Sequence, residues 1–535
     1  MDQTAHLQTV ALVSLGCPKN LVDSERMLGL LSSGGVVPVE SADDADVVVI
    51  NTCGFLEDAK EESLEVIEQA AVLRRSGKVK RLIVAGCLVQ RHRDEIMTWC
   101  PDVDALVGVF DREHILEAVT GSSPRIEAAP EDEPVPPYWI ARNALEAAES
   151  QGVNTVNLTV RGRSARTAGA EVRALGYYES DAARFRLTPR HYAYLRMSEG
   201  CNQNCTFCTI PSIRGKMRSK PIDHILAEAR ELMADGAFEL NLIGQDTTSY
   251  GDDTGYEPGL AGLLTELNDC MAQEQGAGWI RLMYAYPSNF TDAMIDAIAS
   301  LPHIVKYVDM PLQHINDRIL TTMRRNTSRL QICTLLDKLR ERIPGLAIRT
   351  TFITGFPGES EAEHEELVEF VGSFGFDMMG VFPFSPEPGT PAYKLQQQHP
   401  ELVIPADVVK RRHHELMTVQ QQIAFEQAEY LASLYQEAVV GTQPGVTEAL
   451  ESAVQFDVLI EKQDEESETD LEGPDAGNRR RSVGRCYHQA PEVDSVTFVD
   501  AQTWLAPGDL VRCAIVDSQE YDLVGRPVSE LLAGS

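Results

Sequence analysis

The sequence predicts an α/β protein in three parts: an N-terminal parallel α/β domain, a central partial (β/α)6 barrel, and a small antiparallel β-barrel at the C-terminal end. Three observations predict it. Apolar strand-like runs alternate with helical periodicity from Leu7 to Gly121, and again from Tyr192 to Phe384. The last hundred residues instead carry short β-rich runs punctuated by glycine and proline. A chain of 535 residues also exceeds what one ordinary core can hold.

In the first part, "TVALVSLGC", "ADVVVINTCGF" and "VKRLIVAGCLV" read as strands, with helical stretches such as Glu57–Arg75 between them. The runs lead into Cys17, Cys53 and Cys87. Parallel strands point the same way, so these three thiols are expected to meet at one sheet edge, where open α/β sheets bind ligands. The plainer reading is three small buried residues. It does not explain why the same position recurs in three strands.

Residues 122–186 read as a linker or insertion. "EDEPVPP" is acidic and proline-rich, and "RGRSAR" is a short basic loop. The barrel strands are expected at Tyr192–Met197, Glu239–Ile243, Trp279–Tyr284, Val305–Met310, Ala347–Ile353 and Met378–Phe384. Helices such as Ile222–Ala234 and Glu361–Val371 lie between them, and barrel chemistry belongs at the C-terminal ends of the strands. A long charged helix runs from Pro405 to about Gln436. Within the C-terminal barrel, Glu461–Arg481 reads as a disordered acidic excursion. The expected division is 7–121, 122–186, 187–426 and 427–533.

Lys and Arg number 47 against 81 Asp and Glu, a net charge of −34. Such a field repels phosphate backbones and attracts basic partners. No run of eighteen apolar residues appears, and Met1–Val10 lacks the pattern of a signal peptide. The expected location is cytoplasmic, with no membrane contact. In a reducing compartment eleven cysteines are not a disulfide framework.

The chemistry is concentrated in "MSEGCNQNCTFCTIPSIRGKMRS", directly after the first barrel strand. Cys201, Cys205 and Cys208 have a C-x3-C-x2-C spacing. Thiolates bind cluster iron, and a four-iron cubane has four corners. Three protein ligands therefore leave one iron open, able to chelate the amino and carboxylate groups of S-adenosylmethionine. Cys17, Cys53 and Cys87 would hold a second cluster by the same logic. Zinc would want a fourth Cys or His, and neither His191 nor His224 has the usual spacing. Cys100, Cys270, Cys333, Cys486 and Cys513 show no spacing and read as packing residues.

"SLGCPKNLVDSE", "NTCGF" and "GCNQNCTFCTIPSIRGKMRSKP" resemble the radical S-adenosylmethionine methylthiotransferases, and the C-terminal barrel resembles their TRAM domain. The resemblance covers nearly the whole chain. "CPKN", "DMPLQHINDRIL", "RTTFITGFPGE", "VFPFSPEPGTPA" and "QAPEVDS" are most similar to the branch that modifies an aspartate of small-subunit ribosomal protein S-12. The resemblance implies two [4Fe-4S] clusters, S-adenosylmethionine, and an electron donor such as flavodoxin or ferredoxin. It implies that one cluster starts a radical reaction at the aspartate β-carbon, while the other holds the methylthio group.

Cofactor contacts are expected at Phe207, Gln245, Asp309, Arg349 and Gly355. The alternative within the same fold is a tRNA-adenosine methylthiotransferase. From Leu431 to Ser535 there are 7 basic and 20 acidic residues, a net −13. That balance favours a basic protein over RNA as substrate. A non-catalytic iron–sulfur scaffold is a third reading, and it predicts no cleavage of S-adenosylmethionine.

Overall fold

The structure is a computed structural model that describes residues 8–121, 138–144, 146–147, 180–441, 450–464 and 479–533. Most of the expected linker, and residues 465–478 of the acidic excursion, lie outside the described residues.

The N-terminal sheet is parallel throughout. Its order is Val37–Pro38, Thr9–Ser14, Val47–Thr52, Arg81–Gly86, Ala105–Val107, Tyr138–Trp139. Its middle strands are apolar on both faces because helices cover both. Val48, Ile50, Leu82 and Val84 pack under helix Glu57–Arg75, while Val47, Val49 and Ile83 pack with Met27 and Leu31 of helix Pro18–Ser33. The three strands that precede Cys17, Cys53 and Cys87 are direct neighbours. The cysteines stand just past the strand ends, and Cys87 opens the short helix Cys87–His92.

The central sheet is an open run of six parallel strands. Its order is Met378–Pro383, Ala347–Thr354, Ile304–Asp309, Trp279–Leu282, Glu239–Ile243, Tyr192–Arg196. Alternate residues face opposite ways. Ala193, Leu195, Leu240, Leu242, Ile280 and Leu282 turn outward into the helix-packed core. Tyr192, Tyr194, Met283 and Tyr307 form a separate inner cluster, joined by Val22 of helix Pro18–Ser33 and Ala490 of the C-terminal part.

The C-terminal strands Gln455–Gln463, Arg480–Arg485, Thr497–Ala501, Asp522–Pro527 and Leu510–Gln519 close into a barrel in that order. As the sequence predicts, the barrel is mainly antiparallel: four of its five strand pairs run that way. One pair, Thr497–Ala501 with Asp522–Pro527, is parallel. The last strand forms a hairpin with Leu510–Gln519 and then closes the barrel against Thr497–Ala501, where the chain direction matches. The barrel docks on the inner face of the central sheet. Tyr192 and Tyr307 donate to Glu492 and Asp494 at 2.9 and 2.7 Å, Arg281 donates to the Tyr487 carbonyl at 2.6 Å, and Arg485 pairs with Glu239 at 2.7 Å. The long helix runs Ala406–Gly441, beyond its expected end. Among the described residues no helix is long and apolar enough to cross a membrane.

Candidate active site

The first cysteine trio is assembled by backbone close approach. Gly16 has φ +87, and a Cβ there would stand 2.7 Å from the Cys53 Cβ. Only glycine lets these two loops touch. Asn20 ties them further, donating through Nδ2 to the Leu15 carbonyl at 2.7 Å and the Thr52 carbonyl at 3.1 Å. Cys17 is exposed, Cys53 half-buried and Cys87 buried. Burial pushes the Cys87 thiol up to about 12, against the pull of Arg214, whose Nη2 lies 3.3 Å from its Sγ.

The second trio sits in the loop bracketed by the two-stranded ribbon Ser198–Glu199 and Arg218–Ser219. Gly200 adopts φ +78, and a Cβ there would come within 2.3 Å of the Lys216 carbonyl oxygen. The loop is pinned from outside: the Thr206 N–H donates to the Met323 carbonyl at 3.0 Å, and the Ala392 N–H donates to the Thr206 carbonyl at 2.9 Å. Arg325 lies 3.6 Å from the Cys205 Sγ and stacks on Tyr286, whose own hydroxyl is 3.9 Å from the same sulfur. Burial pushes Cys201 up to about 11 and Cys208 up to about 12.

Each trio is a soft, all-sulfur donor set, the ligand chemistry of iron–sulfur clusters. Among the described residues no three Cys, His, Asp or Glu side chains converge as a single-ion site requires. A cubane offers its ligands separate iron corners, so thiolates need not converge on one point. Gln245 supplies an orphaned acceptor beside the second trio. Its Nε2 donates to Glu199 at 2.7 Å, while its buried Oε1 has no hydrogen-bond partner. Such a group fits a bound donor.

The two trios meet across one boundary. Arg214, six residues past Cys208, reaches Cys87, Asn20 and Asp23 on one side and Glu199 on the other. Thr209 donates to the Phe55 carbonyl at 3.5 Å. Asp23 also accepts from Arg112 and Arg196. Lys19 crosses the boundary, and its Nζ lies 3.0 Å from the ring centroid of Tyr284, just past the strand Trp279–Leu282. Burial lowers its ammonium to about 8.

The remaining expected contacts are placed as follows. Phe207 packs with Ile353, Phe356 and Phe384 near the ends of the last two central strands. Asp309 accepts from Arg349 at 3.0 Å and from the Tyr284 N–H at 3.1 Å. Arg349 also bonds Asp494 at 3.2 Å. Gly355 donates its N–H to Glu359 at 2.5 Å, and a Cβ on it would meet Val409 at 2.6 Å. Asp309, Arg349 and Gly355 are thus engaged by protein partners. Lys19, Glu199, Arg214, Tyr286 and Arg325 were given no role in the sequence reading. Lys19, Glu199 and Arg214 lie inside motifs quoted there, which was the available signal. The five unspaced cysteines are buried or half-buried in the cores.

Three family models match the chain: Uncharacterized protein family UPF0004 over residues 9–108, the radical SAM superfamily over 195–371, and the TRAM domain over 455–528. The protein named "Ribosomal protein uS12 methylthiotransferase RimO" in Anaeromyxobacter sp. (strain Fw109-5) is 39% identical over 97% of this chain and 93% of its own length. The protein of the same name in Geobacter sulfurreducens is 36% identical over 98% and 99%. The chain belongs to the RimO family. As a RimO-family chain it is a radical SAM methylthiotransferase, and its radical SAM part implies an iron–sulfur cluster and S-adenosylmethionine. Among solved structures, the radical S-adenosylmethionine methyltransferase TsrM from Kitasatospora setae superposes with a TM-score of 0.48 at 14% identity, covering 73% of this chain and 75% of that one.

Proposed function

We propose that the chain transfers a methylthio group to the β-carbon of an aspartate in ribosomal protein uS12, using two [4Fe-4S] clusters. Cys17, Cys53 and Cys87 hold one, and Cys201, Cys205 and Cys208 hold the other. The observation that carries this is the pair of all-thiol trios joined across one boundary by Arg214. When bound, the clusters and S-adenosylmethionine supply the hydrogen-abstracting radical and the methylthio group.

The chain's own residues position and seal. Arg325 and Tyr286 flank Cys205, and Phe207 covers the side of the loop toward the last two strands. Gln245 offers its free acceptor to the bound S-adenosylmethionine. Lys19 and Asp23 bring the N-terminal part onto the strand ends of the central sheet as a roof, at Tyr284 and Arg196. The buried Asp23–Arg196–Glu199–Arg214 network holds that roof in register. The units 7–121, 187–426 and 427–533 act as roof, reaction barrel and substrate-facing module. A flavodoxin- or ferredoxin-type protein supplies the electron, and the reaction runs in the cytoplasm.

The test is anaerobic reconstitution, followed by reaction with S-adenosylmethionine, reductant and purified uS12. Mass spectrometry is expected to find one methylthio group on a uS12 aspartate, and the chain is expected to carry about eight irons. Release of 5′-deoxyadenosine with uS12 left unmodified would remove the substrate assignment. No 5′-deoxyadenosine at all would remove the radical reading.

A further inference from the structure

We propose that Lys19 is the positioning residue that receives the carboxylate of the target aspartate, an inference that rests on the uS12 reading above. A carboxylate taken out of water at this boundary must be paired, because an ion stripped of water and left alone is strongly disfavoured. The arginines at this boundary are already committed. Arg214 holds Asp23 and Glu199, Arg196 holds Asp23, Asp181 and Glu199, and Arg349 holds Asp309 and Asp494. Arg325 is taken by the Pro311 carbonyl, the Tyr286 ring and the Cys205 sulfur.

Lys19 differs from them. It is only 6% exposed, and among the described residues no carboxylate lies within 4.0 Å of its Nζ and no hydrogen bond satisfies it. Buried lysines without an acid partner are rare in any protein. This chain has 81 acidic residues available to supply one.

The platform beneath Lys19 is built at a cost. Tyr284 adopts φ 59, a conformation that bulky residues avoid. It is held there by its N–H to Asp309 at 3.1 Å and by Thr247 Oγ1 donating to its carbonyl at 3.1 Å. The result is a ring at a central strand end, facing the helix Pro18–Ser33, whose N-cap is Cys17. Position follows from this. Lys19 is two residues from the first trio, and its ring platform is two residues from Tyr286, which touches the second trio. A carboxylate on the ammonium would lie at the boundary from which both trios are reached. A ring face stabilises the ammonium until the substrate arrives.

The test is a double-mutant cycle on the reconstituted holoenzyme, at matched iron content, with binding of uS12 read by fluorescence anisotropy. The probes are uS12 and its target Asp→Asn form, against the wild-type chain, Lys19→Met and Lys19→Arg. Wild type is expected to bind the aspartate form roughly tenfold or more tightly than the asparagine form. Lys19→Met should shrink that ratio to within about twofold, and Lys19→Arg should keep part of it. Equal binding of the two uS12 forms by the wild-type chain overturns the proposal, and that measurement needs no variant to fold. So does a Lys19→Met chain that weakens both forms equally, the sign of a merely structural role. If wild type modifies uS12 but shows no coupling, the assignment of Lys19 falls and the uS12 reading stands. If uS12 is neither bound nor modified, both fall.

Discussion

At the scale of single residues, the spacing of the cysteines was readable and the company they keep was not. A C-x3-C-x2-C run is local, and three cysteines past three parallel strands follow from topology. By contrast, Arg214 meets Asn20 from 194 positions away and Cys87 from 127. No local pattern announces such partnerships. The cysteine reading leads to a direct expectation: Cys205→Ser should lower the iron content of reconstituted protein by about half and abolish 5′-deoxyadenosine formation with a chemical reductant. Iron analysis and chromatography of the reaction check the two outcomes separately. Arg214→Met leaves Asp23 and Glu199 buried with a guanidinium missing. Removing one partner of a buried ion pair costs about 3–5 kcal/mol. The variant's thermal midpoint should fall by several degrees before any cluster is loaded.

At the scale of elements, the strands of the central sheet were legible to within a few residues at either end, because apolar runs between helical patterns leave little choice. Helix Ile222–Ala234 shows the same agreement. The C-terminal barrel was legible as a set of β runs, but not in its closure. Which strand pairs with which, and in what direction, depends on contacts far apart in sequence. The ribbon around the second trio was also missed. Ser198–Glu199 and Arg218–Ser219 are too short to register as strands, yet they clamp the loop that carries the second trio. Gly200 is the hinge point of that clamp. Gly200→Ala puts a methyl group 2.3 Å from the Lys216 oxygen, in a left-handed conformation that alanine resists. The ribbon must open to admit it, which displaces Cys201. The expected outcome is far-ultraviolet circular dichroism close to wild type, with about half the iron bound.

At the scale of the whole molecule, three parts are locked together by buried charge rather than by apolar contact alone. Asp181, Glu199 and Asp23 meet Arg112, Arg196, Arg214 and Lys220 between the N-terminal and central parts, and Glu239 and Glu461 meet Arg281 and Arg485 between the central and C-terminal parts. The net charge of −34 was legible in composition, but this buried pairing was not, since it depends on which acids the fold removes from water. The pairing has a pH consequence. Burial by itself raises the pKa of Glu199, Glu239 and Asp181, but the surrounding cations outweigh it and hold each below its ordinary value. Glu461 is pushed up by burial and pulled down further by His191 and Arg485, to about 2. A carboxylate whose folded pKa lies below its unfolded one contributes stability that is fully present above the unfolded value, near 4 to 4.5, and is lost as pH falls toward the folded value. These four acids act with the same sign at both boundaries. The urea midpoint of the metal-free chain should therefore gain nothing from them between pH 7 and about pH 5 and drop steeply below about pH 4.5. Glu239→Gln should flatten that drop by removing one titrating group from the C-terminal boundary, at the cost of a lower midpoint at pH 7, where Arg281 and Arg485 lose their shared carboxylate. Equal acid sensitivity in the two chains would show that this boundary does not carry its share of the effect.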